Sequence, residues 1–238
     1  MKVPESIKYR LLANSPTMQW LNCTFRPKNW WVRYKTKERL KALSTNNAYI
    51  KLFIGCGRTR LDRTWLHADI CHGEVYVNAL KPLPFQANSV NFIFSEHFIE
   101  HLPEEKMRFF WKECFRILRP GGWMRHSTPD LDFYIKLYEG KIEGVTLDDF
   151  YNRIRHIRKE TPHRCIFINE VLQMWGHQFN YSEDYLTTIW QDSNFINLRR
   201  AEYGVSSVTD LSNLEQHGTE AWYRNQATLI MEAQKPAE

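Results

Sequence analysis

Residues 94–102 read Phe-Ser-Glu-His-Phe-Ile-Glu-His-Leu. Inside them lies His-x-x-Glu-His, from His97 to His101 with Glu100 between, the residue types of an inverted zinc-peptidase motif. Such a centre needs both histidines on one helical face and a third protein ligand, with one position left for water. A second chemical feature comes earlier. Gly55-Cys56-Gly57 directly follows the apolar run Tyr49–Ile54, and Asp69 closes the next run, 12 residues after Gly57. Glycines there let a backbone approach a ligand closely, and an acid at the next strand end can take ribose hydroxyls. The third glycine of G-x-G-x-x-G is absent, because Arg60 stands in its place, and the gap to the acid is short of the roughly 20 residues of a pyrophosphate-binding unit. A cofactor with ribose and adenine but no phosphates suits this loop better.

The elements that must position these groups are legible in the periodicity. Tyr49–Ile54, Trp65–Ile70, Glu74–Val77 and Val90–Ser95 are short apolar or β-branched runs that predict strands. Pro103-Glu104-Glu105 opens a helix, with acids in the turn where the helix dipole favours them. Met107, Phe110, Trp111, Cys114, Phe115 and Leu118 then form one buried stripe. Pro120-Gly121-Gly122 is expected to stop that helix before a strand over Trp123–Ser127. Further helices are expected at about 146–159, about 166–175 and 183–192, the last with Ser182 as N-cap and Asn194 as its left-handed end. Two strands, about 196–203 and 227–233, close the chain. Strands alternating with helices predict an α/β fold, a Rossmann-like sheet with helices on both faces. His97 then falls at a strand end and the helix begins only after it, so no single helical face carries both histidines. No metal is expected.

Composition narrows the rest. A chain of 238 residues with 43% hydrophobic content buries one sizeable core. No apolar run approaches a membrane span, and the opening MKVPESIKYRLLANSP has no signal-like apolar centre. Five scattered cysteines without a Cys-x-x-Cys point to unpaired thiols and a cytoplasmic location. Residues 1–48 carry ten Lys/Arg against two Glu, a local +8 in a chain of net +5. This basic helical extension, interleaved with Trp20, Phe25, Trp30, Trp31 and Tyr34, is expected to pack on the domain formed by 49–238. Nucleic acid or a membrane surface is a less favoured partner for it. Oligomeric state is not legible.

The motifs IGCG (54–57), TWLHADI (64–70), LPF (83–85), SVNFIFSEHFIEHLP (89–103), CFRILRPGGW (114–123) and STPDL (127–131) resemble, in order and spacing, class I SAM-dependent methyltransferases. The similarity is to the compact type 11-like branch and runs over roughly residues 49–236. The resemblance implies S-adenosyl-L-methionine (SAM) as cofactor, S-adenosyl-L-homocysteine (SAH) as product, and no metal. It implies that Gly55, Cys56 and Gly57 line the methionine part, that Asp69 with Ile70 holds the ribose, and that Asn78 and Leu80 flank adenine. Ser95, Glu96 and His97 would leave the fourth strand beside the transferred methyl. Phe53, Thr64, His67, Asn91 and Asn194 depart from the pattern. Asn78 and Asn91 each replace a carboxylate, which would lower cofactor affinity.

For the acceptor, a hydroxyl of a small molecule or an anionic glycan is expected, with a macromolecule held by the basic extension or a non-catalytic SAM-fold module as the alternative. The motif of enzymes that methylate exocyclic base amines is absent after the fourth strand, which speaks against nucleobase methylation. A hydroxyl needs a base, and histidine suits neutral pH. His97, with Glu96 beside it, is the expected catalytic group. His126 and His177 are further candidates near the acceptor, together with Arg155 and Arg158 of a helical insertion at about 140–175. Arginine there would clamp a carboxylate or phosphate.

Overall fold

The computed structural model describes residues 27–45, 48–153, 163–217 and 226–237. Its centre is a seven-stranded sheet made of β1 (Lys51–Ile54), β2 (Trp65–Asp69), β3 (Val75–Tyr76), β4 (Val90–Glu96), β5 (Leu118–Pro129), β6 (Ile196–Arg200) and β7 (Thr228–Gln234). The order across the sheet is β3-β2-β1-β4-β5-β7-β6. β1, β2, β3, β4 and β5 run parallel, while β7 inserts antiparallel between β5 and β6. The helices are α1 (Pro27–Thr45), α2 (Glu104–Ile117), α3 (Leu131–Glu139), α4 (Leu147–Arg153), α5 (Arg164–Gln173) and α6 (Glu183–Asp192). Among the described residues no helix is long and apolar enough to cross a membrane.

Strand alternation divides the core. Leu52 and Ile54 of β1 with Ile93 of β4 face α2, whose Met107, Phe110, Trp111 and Cys114 are buried against them. Phe53 and Phe94 point to the opposite face and meet Trp65, Leu211 and Leu214. A third cluster, Phe133, Tyr134, Phe150, Tyr151 and Phe167, joins α3, α4 and α5 into a cap. Burying one such aromatic contributes about 1.5–3 kcal/mol, so the cap has a small core of its own.

One strand differs from the sequence-based expectation. β5 starts at Leu118 and runs through Pro120-Gly121-Gly122, which therefore lie in the strand. Gly121 takes φ +76°, and the pairing with β4 shifts register between Val90 and Phe92, so the glycines form an irregularity instead of a stop. Residues 55–64 run as turns without a helix, so β1 crosses to β2 directly. In the helical insertion, α4 and α5 are present and 154–162 lie outside the described residues. Of the basic extension, α1 covers the edge strand β3. Tyr76 N donates to Thr36 Oγ1 at 2.8 Å, and Arg33 bonds the Tyr76 hydroxyl at 2.8 Å while lying over its ring. That contact satisfies an edge-strand amide and closes the edge to further pairing. Trp20 and Phe25 lie outside the described residues.

The cysteine expectation needs correction. Cys56, Cys114 and Cys165 are free, but Cys71 is disulfide-bonded. Spacing rules find Cys-x-x-Cys, whereas any other bridge depends on how the chain folds. Cysteine usage therefore does not speak for a reducing compartment here.

Candidate active site

The carboxyl ends of β1 and β4 open into a cavity of about 330 Å³. One wall is the turn Gly55–Thr59, the opposite one is Glu96, His97, Glu100 and His101, and the cap supplies Tyr134, Phe150, Trp175 and His177. His217 closes it from a loop far along the chain.

The glycine turn is tied to β2. Gly55 N and Cys56 N donate to Ala68 O, and Gly57 N donates to Asp69 Oδ2 at 3.1 Å. The other Asp69 oxygen accepts from Cys71 N at 2.6 Å and His72 N at 2.9 Å. Arg60 spans the two loops, donating to Gly57 O at 3.0 Å and to His72 O at 2.6 Å. The residue in the third-glycine position is thus a staple across the turn. Burial, with Asp69 adding to it, pushes the Cys56 thiol up to about 12, so it remains protonated. His67 Nε2 accepts from Leu61 N at 2.9 Å and shapes the same crossover.

On the other wall, His97 sits at φ +45°, a left-handed conformation that bulky side chains seldom adopt. Its Nδ1 meets Glu100 Oε1 at 3.1 Å, and its ring lies against His217 with centroids 4.2 Å apart. Glu100 is fully buried and also accepts from Thr128 Oγ1 at 3.2 Å. Burial acts to raise the Glu100 pKa, but the hydrogen bond and charge of His97, with His101 next, outweigh it and lower the value. Glu96 accepts the amides of Gln216 and His217 at 2.9 to 3.1 Å. Burial raises its pKa and those amides partly offset the effect. The His217 loop is fixed from beneath as well. Buried Arg125 of β5 pairs with Glu215 and with Glu232 of β7, and donates to the carbonyls of Glu202 and Val205 at 2.8 Å each.

Several expected residues stand elsewhere. Ser95 and His126 are fully buried and bonded to each other, Oγ to Nδ1, at 2.7 Å. Neither lines the cavity, and the His126 ring meets Trp111 of α2 edge to face, centroids 5.4 Å apart. Strand parity is the reason: Ser95 shares the face of Ile93 beneath α2, while Glu96 turns to the other face. His126 therefore cannot touch an acceptor, and burial depresses its pKa to about 3. Asp69, Ile70, Asn78 and Leu80 lie along the ends of β2 and β3, outside the cavity. Asn78 Oδ1 accepts from Leu80 N at 3.0 Å in a turn, and Leu80 is exposed. Asn91 accepts from Ile50 N at 2.9 Å at the start of β4, far along the strand from the site, so its lost carboxylate does not bear on cofactor affinity. Arg155 and Arg158 lie outside the described residues. His177 does line the cavity, with burial lowering its pKa. His217, Tyr134, Phe150 and Trp175 had no signal in the sequence, because no local pattern relates them to residues 55–101.

The His-x-x-Glu-His stretch spans the end of β4 and a 3₁₀ turn at Ile99–His101. His97 pairs with Glu100, and the group whose donor atoms approach within 4.8 Å is Glu100, His101 and the distant His177.

SAM is compatible with these residues. Its sulfonium is a cation, and the cavity presents two buried carboxylates, Glu96 and Glu100, opposite a glycine turn. A Cβ on Gly57 would meet no atom within 4 Å, so the backbone there is open to a ligand.

Residues 52–125 match the family model described as a methyltransferase domain. Curated sequences give no match to this chain. Among solved structures, a SAM-dependent methyltransferase from Thermotoga maritima, described as a possible histamine N-methyltransferase, is 15% identical with a TM-score of 0.45, over 82% of this chain and 86% of that one. A SAM-dependent methyltransferase from Archaeoglobus fulgidus is 16% identical with a TM-score of 0.45, over 85% and 94%. The Haemonchus contortus phosphoethanolamine N-methyltransferase 2, in complex with phosphomonomethylethanolamine and S-adenosylhomocysteine, is 13% identical with a TM-score of 0.46; 84% of this chain covers 52% of that one. The family match spans β1 into β5, the part of the sheet that carries the glycine turn, the Asp69 loop and the His97–Glu100 pair.

Proposed function

We propose that the chain methylates a hydroxyl of a small molecule or glycan, with His97 as the base. The observation that carries this reading is the His97–Glu100 pair at the cavity wall facing the glycine turn. Glu100 accepting from Nδ1–H selects the tautomer whose Nε2 lone pair is free to take a proton, the orienting role a buried carboxylate plays beside a catalytic histidine. When bound, SAM would supply an electrophilic methyl on a sulfonium sulfur, transferred to the acceptor oxygen with SAH as the product. The chain's own part is to hold the oxygen about 3 Å from that carbon and remove its proton. Gly55, Cys56 and Gly57 would lie under the methionine part and Asp69 would reach the ribose. Tyr134, Phe150 and Trp175 offer flat faces to a sugar or ring, and Arg58 on the same wall suits an anionic substituent.

Calorimetric titration of chelator-treated protein with SAM and with SAH tests the cofactor half. Saturable binding that Asp69→Ala weakens at least about tenfold, some 1.4 kcal/mol, is expected. No binding by a folded wild-type chain, or unchanged affinity in the variant, would overturn it. His97→Asn tests the acceptor half: SAM affinity should hold while turnover of a hydroxyl acceptor falls roughly 10²–10⁴-fold.

A further inference from the structure

We infer that Glu100, His101 and His177 form a binding site for a first-row divalent transition metal of the zinc class. One donor atom from each lies within 4.8 Å of the others. Two imidazoles and one carboxylate are a ligand set that zinc and its neighbours accept, and three protein ligands leave a position open.

Three further observations point to a missing ligand. His177 Nδ1 is buried and has no hydrogen-bond partner. Buried imidazole nitrogens are ordinarily paired, so an orphan beside a second imidazole and a carboxylate is unusual. Glu100 is fully buried, and among the described residues neither lysine nor arginine pairs with it; its partners are His97 and Thr128. A divalent ion would supply the compensating charge that a buried carboxylate needs. Finally, the two segments that bring the ligands together are already joined. Gln178 N and Phe179 N donate to Glu100 O at 2.7 and 3.2 Å, and Gln178 Nε2 donates to His101 O at 2.6 Å.

The outer shell is also in place. His101 Nδ1 faces Gly176 O at 3.4 Å, which orients the ring and leaves Nε2 for a metal. Thr128 and His97 each occupy one lone pair of Glu100, and a carboxylate has lone pairs to spare. All three ligands line the cavity, so the open position would face a bound acceptor. A hydroxyl coordinated there would lose its proton more readily. That second role rests on the methyl-transfer reading; the metal site does not.

The test uses tag-free, full-length protein stripped with chelator and titrated with Co²⁺, whose visible bands report imidazole and carboxylate ligation, followed by Zn²⁺ competition. One Co²⁺ per chain, displaced by Zn²⁺, is expected. His101→Ala and His177→Gln should each weaken binding by more than the roughly 10–100-fold that outer-shell changes cost, and Thr128→Val should fall within that range. Far-UV circular dichroism and SAM affinity establish that each variant is folded. No saturable Co²⁺ spectrum in the wild type, or binding that survives in both histidine variants, overturns the site. SAM binding without Co²⁺ binding would remove this inference alone, and Co²⁺ binding without SAM binding would remove the methyl-transfer reading alone.

Discussion

Gly55 and Gly57 make a paired experiment, because both have positive φ but their surroundings differ. Gly55 stands at φ +71°, and a Cβ added there would lie 2.3 Å from Phe98 Cδ2 and 2.5 Å from its Cγ. Phe98 packs on Phe110, ring centroids 5.5 Å apart, so its ring has little room to withdraw. Gly57 stands at φ +50° with nothing within 4 Å of such a Cβ. Alanine in the left-handed region costs about 1–2 kcal/mol, from which the reduced freedom of the unfolded chain returns about 0.4–1. Gly57→Ala should therefore cost about 1 kcal/mol. Gly55→Ala adds the overpacking of Phe98, about 1–3 kcal/mol, for a total of roughly 2–4. Urea unfolding reads both values, with Tm shifts of about 2–4 °C per kcal/mol for a chain of this size. The excess should vanish in a Phe98→Ala background, a coupling of about 1–3 kcal/mol in the double-mutant cycle. Equal costs at the two glycines, or an excess that persists without Phe98, would refute the close approach. SAM titration should rank them the other way relative to stability, since a methyl on Gly57 projects into the open space where the cofactor is placed: about tenfold weaker affinity for about 1 kcal/mol of stability.

Arg125→Met should cost about 3–5 kcal/mol in the same unfolding assay, because it strands Glu215 and Glu232 in the interior; Arg199 stays on Glu232 and keeps the loss from being larger. Stability should fall as pH drops. His126, near 6.5 when unfolded and held to about 3 by burial in the fold, binds its proton only in the unfolded chain between those values. The loss accumulates as pH falls through 6.5 toward 3, and between pH 7 and pH 5 it amounts to about 2 kcal/mol. His126→Gln should shrink that pH difference by about the same amount in denaturant midpoints; an unchanged difference would show that other groups carry it. Glu100→Gln keeps an acceptor for His97 Nδ1 but removes the charge beside it, so turnover of a hydroxyl acceptor should drop by more than SAM affinity does, and the pH profile of kcat/KM should shift.

The strands around Gly55-Cys56-Gly57 and the amphipathic α2 could be read from apolar periodicity, since burial on one face imposes that period wherever the element lies. The order of the short motifs carried the resemblance, and the short Gly57-to-Asp69 gap with Arg60 in it set the loop apart from a pyrophosphate-binding turn, in keeping with a crossover that holds no helix. Ser182 precedes α6 as expected, although its hydroxyl bonds Asp184 instead of capping the helix. What the sequence could not supply was the direction of each side chain at the strand ends. Ser95 and Glu96 are neighbours in the chain, yet strand alternation buries one hydroxyl against His126 and turns the other side chain to the amides of residues 216 and 217. Nor could it supply partners that arrive from a distance. His217 reaches His97 across 120 residues, and His177 reaches Glu100 across 77, each delivered by hydrogen bonds whose strength depends on position in space and leaves no period in the chain. The amino-acid sequence by itself determined the sheet, its order of elements and the loop that suits a nucleoside cofactor, because those follow from local spacing. Which histidines face the cavity, and which carboxylate orients them, was decided only by tertiary structure, because burial and contact are properties of the packed molecule.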